Sequence, residues 1–191
     1  ARSSVRTAVL GPSVTAALDQ LEACVGPGEA MALMRACYRP GVPLAAAFAE
    51  AMAAIFPELV LVDPRHPALA HAAVPVHTKA ITEEAALTAR LEERARALTA
   101  AGFDVQVPVR PGVPLSFFHA DGPDGPRQRV SPDVMPAQAP GRFSTSALLR
   151  PILQDTLLPT AAIVGGPGEL NYFAQLQPLY AAYGLPMPMA V

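Results

Sequence analysis

The sequence predicts an α/β protein with an open, mostly parallel sheet that follows a helical region. Residues 59–62 form a continuous apolar run that ends at Asp63-Pro64, which is typical of a strand buried on both faces. Beyond this run, strand and helix alternate twice, and that order favours right-handed βαβ units. A chain of 191 residues with 51% hydrophobic residues is large enough to bury a core.

Three helices are predicted ahead of the first strand. Apolar residues recur at helical spacing in 13–24, 29–38 and 44–56, and Gly-Pro pairs separate these segments. We therefore assign residues 1–57 to a helical connecting region and 58–191 to the α/β region.

The α/β region begins with a long helical stretch over 68–101, broken near Pro75 and ended by Gly102. Alternating or short apolar runs predict the next strands, and 121–125 is a turn that makes a hairpin; the strands are 104–109, 115–119 and 128–130. Three prolines without periodicity predict a mobile loop over 131–141, so the hairpin and the loop together occupy about 120–142. A helix (148–158), a strand (160–164), a second helix (169–183) and a final strand follow.

Composition excludes several functional classes. The net charge of −2 gives no electrostatic footprint for nucleic acid, and no apolar run reaches the roughly 18 residues of a membrane span. Two cysteines, Cys24 and Cys37, are too few for a disulfide framework, so we expect buried, reduced thiols in a cytoplasmic protein. The histidines have no metal-ligand spacing, and we expect no metal site; they are His66, His71, His77 and His119.

A glycine-rich turn is the first candidate site. The sequence Gly165-Gly166-Pro167-Gly168-Glu169 lies between a predicted buried strand and a helix. Glycine lets a backbone approach a ligand, and the first free N–H groups of a helix favour an anion. The turn matches neither the dinucleotide fingerprint nor a P-loop. The alternative, which the spacing leaves open, is that the glycines only turn the chain tightly.

Polar side chains also precede that strand among apolar neighbours. Buried groups of this kind need partners, so they either hold a ligand or pair with one another; they are Arg150, Gln154, Asp155 and Thr160. Asp63 ends the first apolar run, where it serves either a polar function or an Asx-type turn before Pro64. The Glu/Arg run over 83–96 predicts a solvated helix face.

Two stretches of this sequence resemble a known enzyme family. Residues 149–160 read LRPILQDTLLPT and residues 164–176 read VGGPGELNYFAQL. They resemble the bacillithiol-biosynthesis cysteine-adding enzymes, the cysteine ligases called BshC. Shorter similarities occur at 38–41, 59–64 and 101–107, so the likeness covers nearly the whole chain.

The resemblance implies a Rossmann-like core with helical insertions, and a homodimer formed through a coiled coil in the full-length protein. The implied reaction joins the carboxyl group of cysteine to the amine of glucosaminyl malate, giving bacillithiol, with ATP or another nucleotide as the reasonable co-substrate. The residues implied to line the substrate or nucleotide cleft are Gly165, Gly166, Gly168, Glu169 and Tyr172. Gln154 and Asp155 are implied as supporting polar residues, and the resemblance assigns no catalytic base.

The sequence also departs from the family pattern. Family members are much longer, and their Thr-Gly-Gln-Gln-type and Glu-Asp-His-Asp-type motifs do not occur among these 191 residues. We therefore expect an internal fragment of the enzyme, a partial domain that has no catalytic activity by itself. The alternative is a non-catalytic nucleotide-binding or assembly domain of the same α/β class.

Overall fold

The computed structural model describes residues 8–64, 66–130 and 134–191, which fall into two compact units. The first unit contains the described residues up to Asp63 together with Asp124–Pro126. The second contains Pro64–Pro123 and Arg127–Val191. The sequence analysis assigned residues 58–63 to the α/β region, whereas the structure places them in the first unit. None of the helices in the described ranges combines the length and apolarity needed to cross a bilayer.

The first unit is built from three helices, α1 (Ser13–Val25), α2 (Glu29–Cys37) and α3 (Leu44–Ile55). These confirm the three predicted helices. Gly26 ends α1 with φ of 84°, a conformation that glycine adopts without strain. Arg35 of α2 joins α1 by ion pairs to Asp19 at 2.8 Å and to Glu22 at 2.5 Å.

The apolar run at 59–62 does not form the predicted buried strand. It has no regular secondary structure, and its side chains are exposed, with Val60 86% accessible. A strand buried on both faces requires hydrogen-bonded neighbours and covering helices. Within the described residues no strand pairs with this run, so the prediction is wrong for this chain.

The core of the second unit is helical. Its helices are α4 (Pro67–Ala72), α5 (Val74–Thr82), α6 (Glu84–Ala100), α7 (Leu149–Leu157) and α8 (Pro167–Tyr183). The break predicted near Pro75 is confirmed, because α5 begins there. Residues of α6, α7 and α8 fill the centre, and those with almost no exposure include Leu87, Leu91, Ile152, Leu176 and Leu179.

Two small sheets complete the second unit. Strands β1 (Ser116–His119), β2 (Arg127–Arg129) and β3 (Phe143–Thr145) form an antiparallel sheet in the order β2-β1-β3, which confirms the hairpin. Strands β4 (Ala162–Ile163) and β5 (Met189–Ala190) pair in parallel, joined through α8 as a βαβ unit. Among the described residues, parallel pairing is confined to β4 and β5. The prediction of a mostly parallel sheet is therefore confirmed for this pair only.

Two further predictions are corrected. Residues 104–109 form no strand, and Val107 is hydrogen-bonded to a glutamine side chain of α8 instead of a neighbouring strand. The predicted loop over 131–141 has local helical structure, with 3-10 helices at Pro136–Gln138 and Pro140–Arg142, because proline suits the first turn of a helix. Its mobility stays a prediction. Residues 131–133 of that loop lie outside the described residues.

Candidate functional site

The glycine turn connects the end of β4 to the start of α8. Gly166 caps the helix with φ of −69° and ψ of 167°, and Pro167 is the first helical residue. The carbonyl of Gly166 accepts hydrogen bonds from the amides of Glu169 at 2.9 Å and Leu170 at 3.0 Å. The amide of Gly165 donates to the carbonyl of Val191 at 3.1 Å, so the turn is attached to the strand segment that contains β5.

The three glycines of the turn meet different surroundings. A Cβ atom on Gly165 would lie 3.2 Å from the Cβ of Glu169, which is tighter than an ordinary contact. A Cβ on Gly166 would have no neighbour within 4 Å, and one on Gly168 would lie 3.9 Å from Oε1 of Gln106. None of the three has a positive φ. Close packing therefore accounts for a glycine at position 165, as the tight-turn interpretation predicts. Neither packing nor the backbone angles require a glycine at position 166.

The first backbone amides of α8 are available at this turn. No hydrogen bond within the described part of the chain uses the N–H of Gly166 or Gly168, and Pro167 has no N–H. Unused amides at a helix N-terminus carry partial positive charge and favour an anion. The local geometry is therefore compatible with the ligand interpretation of the turn.

Arg150 brings two of the predicted site residues together. Its Nη2 atom donates to Oε1 of Glu169 at 3.1 Å and to the hydroxyl oxygen of Tyr172 at 2.5 Å. These contacts join α7 to the first turns of α8. The side chains of Arg150 and Glu169 are 49% and 50% exposed, so the ion pair faces solvent.

An open cleft of about 320 Å³ lies beside this network. Its wall combines side chains of α7 and α8 with β4, and the lining residues are Arg150, Gln154, Ala162, Ile163, Val164, Glu169 and Phe173. The cleft is at the carboxyl end of β4, the position at which open α/β sheets bind ligands. Gln154 and Glu169, two of the predicted residues, thus share one cleft with Arg150.

Asp155 is directed elsewhere, into the interface of α7 and α8. Its Oδ2 atom accepts a hydrogen bond from the hydroxyl of buried Tyr180, and its Oδ1 atom is buried with no partner in the described part of the chain. Burial raises the pKa of Tyr180, and the hydrogen bond to Asp155 raises it further. Asp155 does not line the cleft, and the hydroxyl of Thr160 donates within its own loop to the carbonyl of Leu158.

The remaining candidates lie outside the cleft. Cys37 is buried as expected, whereas Cys24 is exposed, so the prediction of two buried thiols is wrong for Cys24. Asp63 follows a segment that is not a strand and is therefore not at a strand end. His119 forms a hydrogen bond through Nε2 to the hydroxyl of Ser144 at 2.8 Å.

Two contacts of α8 were not predicted. Gln175, which is 1% exposed, donates through Nε2 to the carbonyl of Val107 and accepts from its amide, both at 3.1 Å. Nε of Arg94 donates to the carbonyl of Ala174 at 2.9 Å, so the predicted solvated face is wrong for Arg94. Pro178 was a usable signal, because a proline within a helix leaves the carbonyl four residues earlier, that of Ala174, without its usual donor.

Comparison with known proteins identifies one family. The family described as Bacillithiol biosynthesis BshC, N-terminal Rossmann-like domain, matches residues 2–137 and 134–191. The family assignment suggested by the two sequence stretches is thereby confirmed.

Similar curated proteins carry the name "Putative cysteine ligase BshC". The one from Koribacter versatilis is 34% identical over 88% of this chain and 35% of its own length. The one from Salinibacter ruber is 33% identical over 90% of this chain and 35% of its own length. The one from Chlorobaculum tepidum is 30% identical over 96% of this chain and 36% of its own length. The chain thus spans about 35% of the length of these relatives.

Proposed function

The chain belongs to the BshC family through its Rossmann-like domain, and we propose that it is part of a cysteine ligase of bacillithiol biosynthesis. The reaction would join the carboxyl group of L-cysteine to the amine of glucosaminyl malate through an amide bond. The names of the relatives and the match over nearly the whole chain support this proposal. A cytoplasmic location and a homodimer of the full-length protein are parts of the same proposal.

The proposed ligation depends on a nucleotide such as ATP. A free carboxylate is a poor acceptor for an amine, so it must first become an adenylate or an acyl phosphate. Either intermediate requires stabilisation of negative charge. The observation that carries this step is the pair of unused amides at Gly166 and Gly168, close in the chain to Glu169, whose carboxylate is paired with Arg150.

The residues of the turn would have separate roles. The amides of Gly166 and Gly168 would bind the anionic group, and Gly165 would allow the close packing against Glu169. Gln154 would contribute an amide to the cleft wall. Asp155 would support the site from the interface through Tyr180, and Glu169 and Tyr172 would hold Arg150.

A larger parallel sheet would surround β4 and β5 in the whole protein. This pair exposes apolar side chains, with Val164 at its end 87% accessible and Met189 66% accessible. Parallel sheets are normally covered on both faces. Since the chain spans about 35% of its relatives, we infer that residues beyond these 191 supply further strands and the opposite wall of the cleft.

The site is tested with two substitutions in the whole gene product that contains this chain. Glu169→Ala removes a partner of Arg150, and Gly166→Val fills the space above the first amides, where the backbone angles accept valine and no atom lies within 4 Å. We expect each to reduce ligation by at least about 100-fold, measured by mass spectrometry of the amide product. The melting temperature should stay close to that of the wild type.

Glu93→Ala, on the exposed surface of α6, is the control and should ligate at the wild-type rate. Wild-type rates in both site variants would contradict the site assignment. A wild-type protein that binds ATP without forming the amide would instead favour a non-catalytic nucleotide-binding domain.

A further inference from the structure

The two partners of Arg150 use the same nitrogen atom of its guanidinium group. Nη2 donates to Oε1 of Glu169 at 3.1 Å and to the hydroxyl oxygen of Tyr172 at 2.5 Å. Among the described residues, no acceptor contacts Nε or Nη1. Arg150 therefore keeps its remaining N–H donors unused while its orientation is fixed at one end.

The two acceptors hold the guanidinium from one side. Glu169 and Tyr172 are three residues apart on α8 and so lie on the same face of that helix. The ring centre of Tyr172 lies 5.9 Å from that of its neighbour Phe173. Because the ion pair with Glu169 is about half exposed, water screens it and the pair contributes little to stability by itself.

The unused donors belong to a side chain that lines the cleft. Arg150 shares the cleft wall with the amide of Gln154 and the ring of Phe173. A guanidinium group has donors only, remains charged at every physiological pH, and matches the oxygen atoms of carboxylates and phosphates. A carboxylate or phosphate oxygen is therefore the chemical match for the donors that Glu169 and Tyr172 leave unused.

We propose that Arg150 binds an oxyanion of the ligand, a carboxylate or phosphoryl group, through Nε and Nη1, and that Glu169 and Tyr172 are positioning residues. This inference rests on the proposed cleft and names the chemical group that the cleft recognises. The family resemblance implies that Glu169 and Tyr172 line the ligand cleft, whereas here they hold Arg150 in place.

The binding role is tested by calorimetric titration of the whole gene product with three probes. ATP represents the phosphoryl source, and L-cysteine and L-malate represent the carboxylate source. Arg150→Lys keeps the positive charge but loses the planar set of donors. We expect its affinity for at least one probe to fall by about tenfold or more, and that probe identifies the source of the oxyanion.

Arg90→Lys is the matched control, because Arg90 is exposed on α6 and does not line the cleft. It should bind every probe with wild-type affinity. The proposal is overturned if Arg150→Lys binds all three probes within about twofold of the wild type, or if the wild type binds none of them.

The positioning role is tested by rescue with a conservative variant. Glu169→Gln keeps an oxygen that can accept from Nη2, so it should retain most of the affinity that Glu169→Ala loses. Tyr172→Phe keeps the ring contact with Phe173 but removes the acceptor oxygen, and it should weaken binding several-fold. If Glu169→Gln binds as weakly as Glu169→Ala, an acceptor oxygen at position 169 does not orient Arg150, and the positioning role is wrong.

These titrations do not depend on turnover. A wild-type protein that binds a probe through Arg150 but makes no amide would contradict the proposed ligase function and leave the binding role of Arg150 supported. Conversely, ligation that needs Glu169 and Gly166 but is indifferent to Arg150→Lys, with unchanged probe affinities, would contradict the inference alone.

Discussion

His77 is a buried histidine side chain of the second unit. It is 3% exposed, its Nδ1 atom lies 2.8 Å from the hydroxyl of Ser116, and its ring centre lies 5.7 Å from that of Phe143. Desolvation lowers its pKa from the ordinary value of 6.5 to about 4. The group therefore couples folding of the second unit to pH.

The unfolded chain binds a proton at His77 between pH 6.5 and about 4, and the folded chain does not. The contribution of His77 to the free energy of unfolding is therefore fully present above pH 6.5, and it decreases as the pH falls towards 4. We expect the free energy of unfolding of the chain to drop by about 2 kcal/mol from this group between pH 7 and pH 5. Urea unfolding at the two pH values measures the drop.

His77→Gln should remove most of that pH dependence, because glutamine does not titrate. His71→Gln changes an exposed histidine of α4 and should leave the dependence as it is in the wild type. Equal slopes of stability against pH in the wild type and in His77→Gln would show that His77 is not the responsible group.

Residues of the site differ in how far the sequence alone could identify them. Gly166, Glu169 and Tyr172 are close in the chain, so a local pattern and a family likeness were enough to select them. The bond from Arg150 to Glu169 depends on the packing of α7 against α8, and no local pattern encodes it. For the same reason the sequence could not show that Asp155 is directed to Tyr180.

At the scale of elements, α8 contains a proline whose effect is compensated by another helix. Pro178 has no N–H, so the carbonyl of Ala174 lacks its usual donor within the helix. Nε of Arg94, on α6, donates to that carbonyl at 2.9 Å. The contact ties α6 to α8, and both helices place side chains in the core of the second unit.

Arg94→Leu should lower the free energy of unfolding by about 1–2 kcal/mol, because it leaves the carbonyl of Ala174 without a donor. In a Pro178→Ala background, the restored N–H at position 178 can donate to that carbonyl, so the same substitution should cost less. A double-mutant cycle measured by urea unfolding gives the difference.

Arg96→Leu, on the exposed surface of the same helix, is the control and should have little effect in either background. If Arg94→Leu costs the same with and without Pro178, its effect comes from lost packing and the compensation is absent.

Helices and strands were predictable to different degrees. Helical spacing with glycine and proline boundaries located the helices, because those signals are local. The runs at 59–62 and 104–109 have strand composition but form no strand, since a strand exists only with a neighbour that may be far away in sequence. The antiparallel hairpin was predictable because its two strands are joined by one turn.

At the scale of the whole molecule, the chain and its relatives differ in length. The chain spans about 35% of the length of the curated BshC proteins it matches, and the proposed cleft is open to solvent. We expect the 191-residue chain to form no amide from cysteine, glucosaminyl malate and ATP, whereas the whole gene product does. Mass spectrometry of the two reactions under identical conditions measures this, and product formed by the chain alone would contradict it.

The hydrogen bonds between Gln175 and Val107 also occupy backbone groups that a strand of another chain would need for pairing. The segment around Val107 alternates half-buried valines with exposed residues, a pattern typical of a strand whose free edge can pair with another molecule. Gln175 occupies both the amide and the carbonyl of Val107, and the next residue, Pro108, has no N–H to offer. The backbone at residues 107 and 108 therefore offers no free N–H group to a second chain. Gln175 and Pro108 thus disfavour β-pairing between molecules at this segment.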